Sequence, residues 1–189
     1  MIHDQIRIRE LEQRVKTHGV IDPASFLKRL AELMSAADAV QRWRTQNYKE
    51  LRELKDACLL AYGLSKALET DVAVVRGEVE DFDFVLRAVG DDGYQFVGIQ
   101  LKELPPENLN PHVTLEALLG NLAADLSTDA TLVIRLNRTG YTPDEALSAV
   151  QLPYAEVWYL WATSPDGLGW CFYGDVMQQP HRYEFAYPL

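Results

Sequence analysis

A stretch near the middle of the chain, YQFVGIQLKEL at residues 94–104, carries residue types that suit metal-assisted chemistry. Strand side chains alternate with period two, so Gln100 and Lys102 share one face of a predicted strand. An amide oxygen and an ammonium group two residues apart on the same face need polar partners. The opposite face, which we predict to be core, holds the apolar residues Val97, Ile99 and Leu101.

The partner is predicted just upstream, in DFDFVL, where aromatic and aliphatic residues alternate with carboxylates. Because VGDDG is a turn signal between two alternating runs, the segment reads as a β-hairpin. Pairing across that turn would bring Asp83 beside Gln100 and Lys102. Carboxylate and amide oxygens suit Mg²⁺ or Mn²⁺, so the pattern predicts a divalent-metal site with a polarised water.

Length and charge limit the classes of protein that this sequence can encode. A chain of 189 residues, 48% of them hydrophobic, can form one domain with a substantial core. We predict an N-terminal helical extension over residues 1–39 and an α/β domain over residues 40–189. The net charge of −10 disfavours tight binding to nucleic acid, although local basic segments such as QRWRTQNYK leave it open.

The location of the protein is predicted from what the sequence lacks. No apolar run reaches the roughly 18 residues of a membrane span, and the start, MIHDQIRIRE, is charged. Cys58 and Cys171 lie in apolar stretches without the spacing of a metal site, which predicts reduced structural thiols. We therefore expect a soluble cytoplasmic protein with no membrane partner.

The elements that would position these residues follow from periodicity. Residues 3–17 show loosely helical spacing, and Asp22 and Pro23 predict the start of the next helix. A third helix is predicted from Val40 to Leu68. Three strands, a helix in TLEALLGNLAADLS and a β-branched strand in ATLVIRLN come next, the last expected to be buried on both faces. A short helix in TPDEALSAV, a hairpin around SPDGLG and a final extended segment complete a predicted mixed sheet flanked by helices.

This order of elements resembles the PD-(D/E)XK nuclease-like superfamily, with Asp83 in DFDFVL and Gln100-x-Lys102 in GIQLKEL as the matching residues. In particular it is similar to a group of bacterial proteins of that superfamily that share the ending QLKELPP. The resemblance covers residues 46–138 and implies a restriction-endonuclease-like fold. It also implies that Asp83 and Gln100 bind the metal and that Lys102 orients or deprotonates the attacking water. A helix glutamate completes the shell; Glu53 is preferred, with Glu50 as the other candidate.

The implied function is Mg²⁺- or Mn²⁺-dependent hydrolysis of a phosphodiester in nucleic acid, with Lys102, Asp83, Gln100 and Glu53 as the site. The alternative is a catalytically silent nuclease-like fold that binds another protein, as an immunity-type module would. The neutral amide of Gln100 and the acidic net charge favour this alternative. Simpler interpretations exist for single residues: Lys102 can extend to solvent, and Glu50 and Glu53 can make ordinary helix charge pairs. Three alternatives stay open at this point: whether the substrate is DNA or RNA, whether cleavage is internal or terminal, and how many copies of the chain assemble.

Overall fold

The computed structural model describes residues 19–34, 49–75, 82–126, 128–138 and 151–189 of the chain. They divide into two compact units. Unit 1 comprises Met1–Val97 with Pro188–Leu189, and unit 2 comprises Gly98–Tyr187. Parts of several predictions lie outside the described residues, namely residues 1–18 and 35–39 of the extension, the helix start at 40–48, and the short helix at 142–150.

Unit 1 contains two described helices, α1 (Pro23–Met34) and α2 (Lys49–Leu68). Helix α1 begins as predicted, because the Asp22 carboxylate accepts a hydrogen bond from the backbone N–H of Ser25 at 2.7 Å. Hydrogen bonds from the Ser25 hydroxyl and from the Ser25 backbone N–H together hold the pKa of Asp22 below its usual value. Leu27 and Leu30 of α1 are buried, and α2 buries a stripe that includes Ala57, Cys58 and Ala61. The two helices pack against each other.

The strands of unit 1 pair in chain order. β1 (Val20–Ile21) precedes α1, and β2 (Val72–Val75), β3 (Phe84–Gly90) and the first residues of β4 (Gly93–Leu104) follow α2. β2 is antiparallel to both β1 and β3. Ser65 fixes the exit of α2, since its hydroxyl donates to the Ala61 carbonyl and accepts from Val72 N–H, both at 3.0 Å. Gly93 closes the turn after β3 with a φ of 122°, a conformation that favours glycine.

Unit 2 is built on parallel strands. The last part of β4 pairs in parallel with β5 (Thr131–Leu136), which pairs in parallel with β6 (Glu156–Ala162). All six residues of β5 are buried, which confirms the prediction of burial on both faces. β7 (Gly169–Gly174) and β8 (His181–Ala186) then add two antiparallel pairings, and the predicted hairpin around SPDGLG joins β6 to β7.

Helix α3 (Leu115–Leu122) lies between β4 and β5 in the chain, where the parallel pairing requires a crossover. Its cap is Thr114, whose hydroxyl accepts from Ala117 N–H at 3.2 Å. The described residues are thus α/β, with helices in both units and a mixed sheet in unit 2. The restriction-endonuclease-like arrangement and the boundary between residues 39 and 40 stay predictions.

Candidate functional site

Gln100 and Lys102 lie on the part of β4 that belongs to unit 2, two residues apart in the strand, so they share a face as predicted from alternation. Both residues are half-buried. Gln100 pairs with Leu132 of β5, and Lys102 pairs with Ile134. Both partners are fully buried. The amide of Gln100 and the ammonium of Lys102 therefore lie beside an apolar surface. Apolar surroundings lower the local dielectric constant, which strengthens the attraction of both groups for charged or polar ligands.

The same face extends the apolar surface over the next strand. Val157 of β6 pairs with Leu132, and Tyr159 pairs with Ile134, so two rows of side chains run from Gln100 and Lys102 across three parallel strands. Val157 and Tyr159 are buried as well. The polar pair thus marks the rim of a closely packed face of unit 2.

The opposite face of β4 has a different composition from the predicted one. Val97 was expected in the core with Ile99 and Leu101, yet Val97 is 42% exposed, while Ile99 is buried and Leu101 is half-buried. Burial on this face thus begins only at Ile99. Apolarity and alternation identify the face, but the strand's neighbours decide how far along it burial extends.

Glu103 lies on this opposite face and ties together the carboxyl ends of two parallel strands. Its Oε1 accepts a hydrogen bond from Nδ2 of Asn137 at 2.7 Å, and Asn137 N–H donates to the Leu104 carbonyl at 3.0 Å. Glu103 is exposed and adjacent to Lys102 in sequence. Because side chains alternate along a strand, Glu103 and Lys102 lie on opposite faces of β4. Glu103 hydrogen-bonds to Asn137 at the end of the strand, whereas Lys102 shares its face with Gln100.

Arg138 holds the loop that follows the Gln-x-Lys segment. Its Nε donates to the Pro105 carbonyl at 3.0 Å, and its Nη2 donates to the carbonyls of Val113 and Asn110. One guanidinium therefore holds both ends of the loop at residues 105–113, because its several N–H groups can donate to different carbonyls at once. Sequence reasoning gave this arginine no such role; the available signal was an arginine directly after a buried strand that neighbours a proline-rich loop.

Asp83 lies in unit 1, at a bend between Phe82 and the first residue of β3, and is exposed. The predicted alternation of Asp83 with its neighbours does not hold through this bend. Phe82 packs against a buried cluster formed by Val75 and Val85. Strict alternation would instead put Phe82 and Val85 on opposite faces of the strand. Asp83 therefore lies before the regular alternation of β3 begins.

Glu53 is a half-buried residue of α2 in unit 1, one turn before the buried Ala57. Glu50 belongs to the first turn of the same helix, and its side chain is outside the described part of the structure. Of the four predicted site residues, two are therefore in unit 1 and two in unit 2. The structure brings Gln100 and Lys102 together on one face; the meeting of all four stays a prediction.

The described residues contain no group of three or more His, Cys, Asp or Glu side chains arranged to hold a metal ion. None of their helices is long and apolar enough to cross a membrane. No protein-family model, no curated protein and no solved structure matches this chain.

Proposed function

We propose that the chain is a Mg²⁺- or Mn²⁺-dependent phosphodiester hydrolase whose site comprises Lys102, Asp83, Gln100 and Glu53. The observation that carries the proposal is the half-buried Gln100-x-Lys102 pair on one face of β4, beside the fully buried parallel strand β5. The chain order α2, β2, β3, β4, α3, β5 supports it, because it repeats the order of the superfamily that the sequence resembles.

The donor set fits a hard divalent cation. Asp83 and Glu53 would supply carboxylate oxygens and Gln100 an amide oxygen, with no sulfur or imidazole among them. The two carboxylates balance the cation's charge, and the neutral amide adds a ligand without further charge. When bound, Mg²⁺ would lower the pKa of a coordinated water and stabilise the charge that develops on phosphorus.

Lys102 would act on the water and not on the metal. An ammonium held beside an apolar face can hydrogen-bond to the attacking water and orient it in line with the bond that breaks. The water oxygen then forms a bond to phosphorus, the bond from phosphorus to the leaving sugar oxygen breaks, and that oxygen takes up a proton.

A metal titration tests the proposal most directly. Calorimetry with Mg²⁺ and with Mn²⁺ is compared for the parent, Asp83→Ala and Gln100→Glu, alongside metal-dependent cleavage of mixed DNA and RNA. The parent should bind Mn²⁺ and cleave at least one substrate. Asp83→Ala should lose both properties, and Gln100→Glu should bind the ion more tightly, because it adds a carboxylate.

Position on β4 provides a matched control. Lys102→Ala should abolish cleavage but retain metal binding, whereas Glu103→Ala, one residue away on the opposite face, should retain both. The absence of Mg²⁺ and Mn²⁺ binding in both the parent and Gln100→Glu would overturn the proposal. The protein-binding alternative, which the neutral Gln100 and the net charge of −10 favour, would then stand.

A further inference from the structure

Strand β8 is the last strand in the hydrogen-bonded order of the described residues, and its strand neighbour there is β7. The pairing runs from Gly169 opposite Ala186 to Gly174 opposite His181. Four of its six residues are exposed, and Phe185 alone is buried. An edge of this kind presents backbone groups that another strand can pair with.

The structure identifies which backbone groups of β8 point away from β7. Tyr187, just beyond the strand, donates its N–H to the Leu168 carbonyl on the β7 side at 2.7 Å. Because successive residues of a strand direct their N–H and C=O groups to opposite sides, Tyr183 and Phe185 also face β7. The outward groups are therefore those of Arg182, Glu184 and Ala186.

The two charged side chains on this edge are complementary and symmetrically placed about Tyr183. Arg182 and Glu184 lie on one face of β8, and Arg182 donates to Glu184 Oε1 from Nε at 3.0 Å and from Nη2 at 2.5 Å. Both side chains are half exposed or more, at 50% and 58%. Two antiparallel copies of β8 with their Tyr183 residues opposite would place each Arg182 directly opposite a Glu184 of the other copy.

We propose that two copies of this chain associate through antiparallel pairing of their β8 strands, with Tyr183 on the two-fold axis. Arg182 and Glu184 carry the outward backbone groups, so these opposed residues exchange four N–H···O=C bonds across the axis. Each guanidinium then lies between two carboxylates, one from each copy. On the other face the two Tyr183 rings form a close cross-strand aromatic pair, which is a stabilising contact.

The hydrogen-bonded ladder between the two β8 strands would be short, so the contact between the two copies would be small. The next outward residue, Ala186, would face Pro180 of the second copy, and proline has no N–H to donate. The inference is independent of the proposed hydrolase activity. The alternative to pairing is that Arg182 and Glu184 prevent other strands from adding to this edge, as charged residues do on many edge strands.

Charge reversal separates these two interpretations. The mass of the full chain is measured by sedimentation equilibrium over a wide concentration range, for the parent, Arg182→Glu, Glu184→Arg and the double exchange. The parent should show a monomer–dimer equilibrium. Each single variant places like charges opposite each other twice and should raise the dissociation constant about tenfold or more. The double exchange restores opposite charges and should return the constant to near the parental value.

Arg29 and Glu32 of helix α1 supply the control, because they form an exposed Arg–Glu ion pair on a helix, with side-chain exposures of 72% and 65%. Arg29→Glu should leave the dissociation constant unchanged. A parent that stays monomeric at every concentration would overturn the proposal. So would a dimer whose constant is unaffected by the single reversals, or one that the double exchange fails to restore.

Discussion

Strands β5 and β8 of unit 2 have the same length but opposite surroundings. β5 has a parallel neighbour on each side and buries all six residues, whereas β8 follows β7 at the end of the described strand order and buries only Phe185. Each strand contains one arginine, in TLVIRL for β5 and in HRYEFA for β8. The surroundings of each strand therefore decide what its arginine contacts.

The two arginines show the difference most clearly. Arg135 of β5 is only 8% exposed, and its Nη1 donates to the carbonyls of Leu136 and Leu160. Its Cζ lies 4.5 Å from the centroid of the Trp170 ring. Arg182 of β8 lies 5.6 Å from the Trp161 centroid but pairs with the exposed Glu184. The buried guanidinium satisfies backbone groups inside the unit, and the exposed one remains accessible to a partner. Variants of residues in the two strands should therefore differ in how much they change the free energy of unfolding.

Leu132→Ala should produce the largest loss. Leu132 is fully buried in β5, with strands on both sides that limit collapse around a cavity. We expect the free energy of unfolding in urea to fall by about 3 kcal/mol. Leu126→Ala is the matched control, because Leu126 is 91% exposed. A loss below that of the control would show that β5 is not the core of unit 2.

Phe185→Ala should cost less, about 2 kcal/mol, because the edge can relax around the missing ring. Phe185 is 9% exposed and lies 6.2 Å from Phe172, centroid to centroid. Loss of this anchor should also let β8 separate from β7 locally. Because Cys171 of β7 pairs with Glu184, labelling of its thiol reports that opening.

Thiol labelling followed by mass spectrometry provides the measurement. Burial raises the pKa of Cys171 to about 11 and that of Cys58 to about 12, so both thiols should react slowly in the parent. In Phe185→Ala, Cys171 should react faster while Cys58, in helix α2, keeps its rate. Equal acceleration of both cysteines would indicate global unfolding and not release of the edge.

Arg135→Lys should have a smaller effect, about 1 kcal/mol in urea unfolding. Lysine keeps the charge but lacks the planar group that stacks on Trp170 and donates to two carbonyls. Arg138→Lys is a useful comparison, because that guanidinium binds loop carbonyls without a described ring contact. A stability equal to the parent's for Arg135→Lys would mean that charge alone, and not shape, matters at this site.

Local patterns predicted the elements well where neighbours in sequence decide the outcome. The Asp22 cap, the end of α2 at Leu68 and the β6–β7 hairpin follow from capping, periodicity and turn residues. The continuous apolar run of β5 predicted its burial because only a strand covered on both faces tolerates such a run. Alternation also placed Gln100 and Lys102 on one face of β4.

Contacts between distant segments could not be predicted in the same way. The exposure of Val97 depends on what lies against β4, and the bend at Asp83 depends on Phe82 packing with Val85. Arg138 reaches carbonyls at least 25 residues away, which no local pattern encodes. The candidate site combines residues from several elements, so its chemistry could be suggested by residue types but its geometry could not.

Arg182→Ala should have the smallest effect on stability, below about 0.5 kcal/mol, because an ion pair this exposed is screened by water and salt. The measurement is urea unfolding at a protein concentration low enough to keep the chain monomeric, with Glu184→Ala as the companion variant. Since each variant removes the same pair, both should give the same small loss. A loss above that of Phe185→Ala would mean that Arg182 stabilises the unit by packing over Trp161, and the contrast between a core arginine and an edge arginine would then fail.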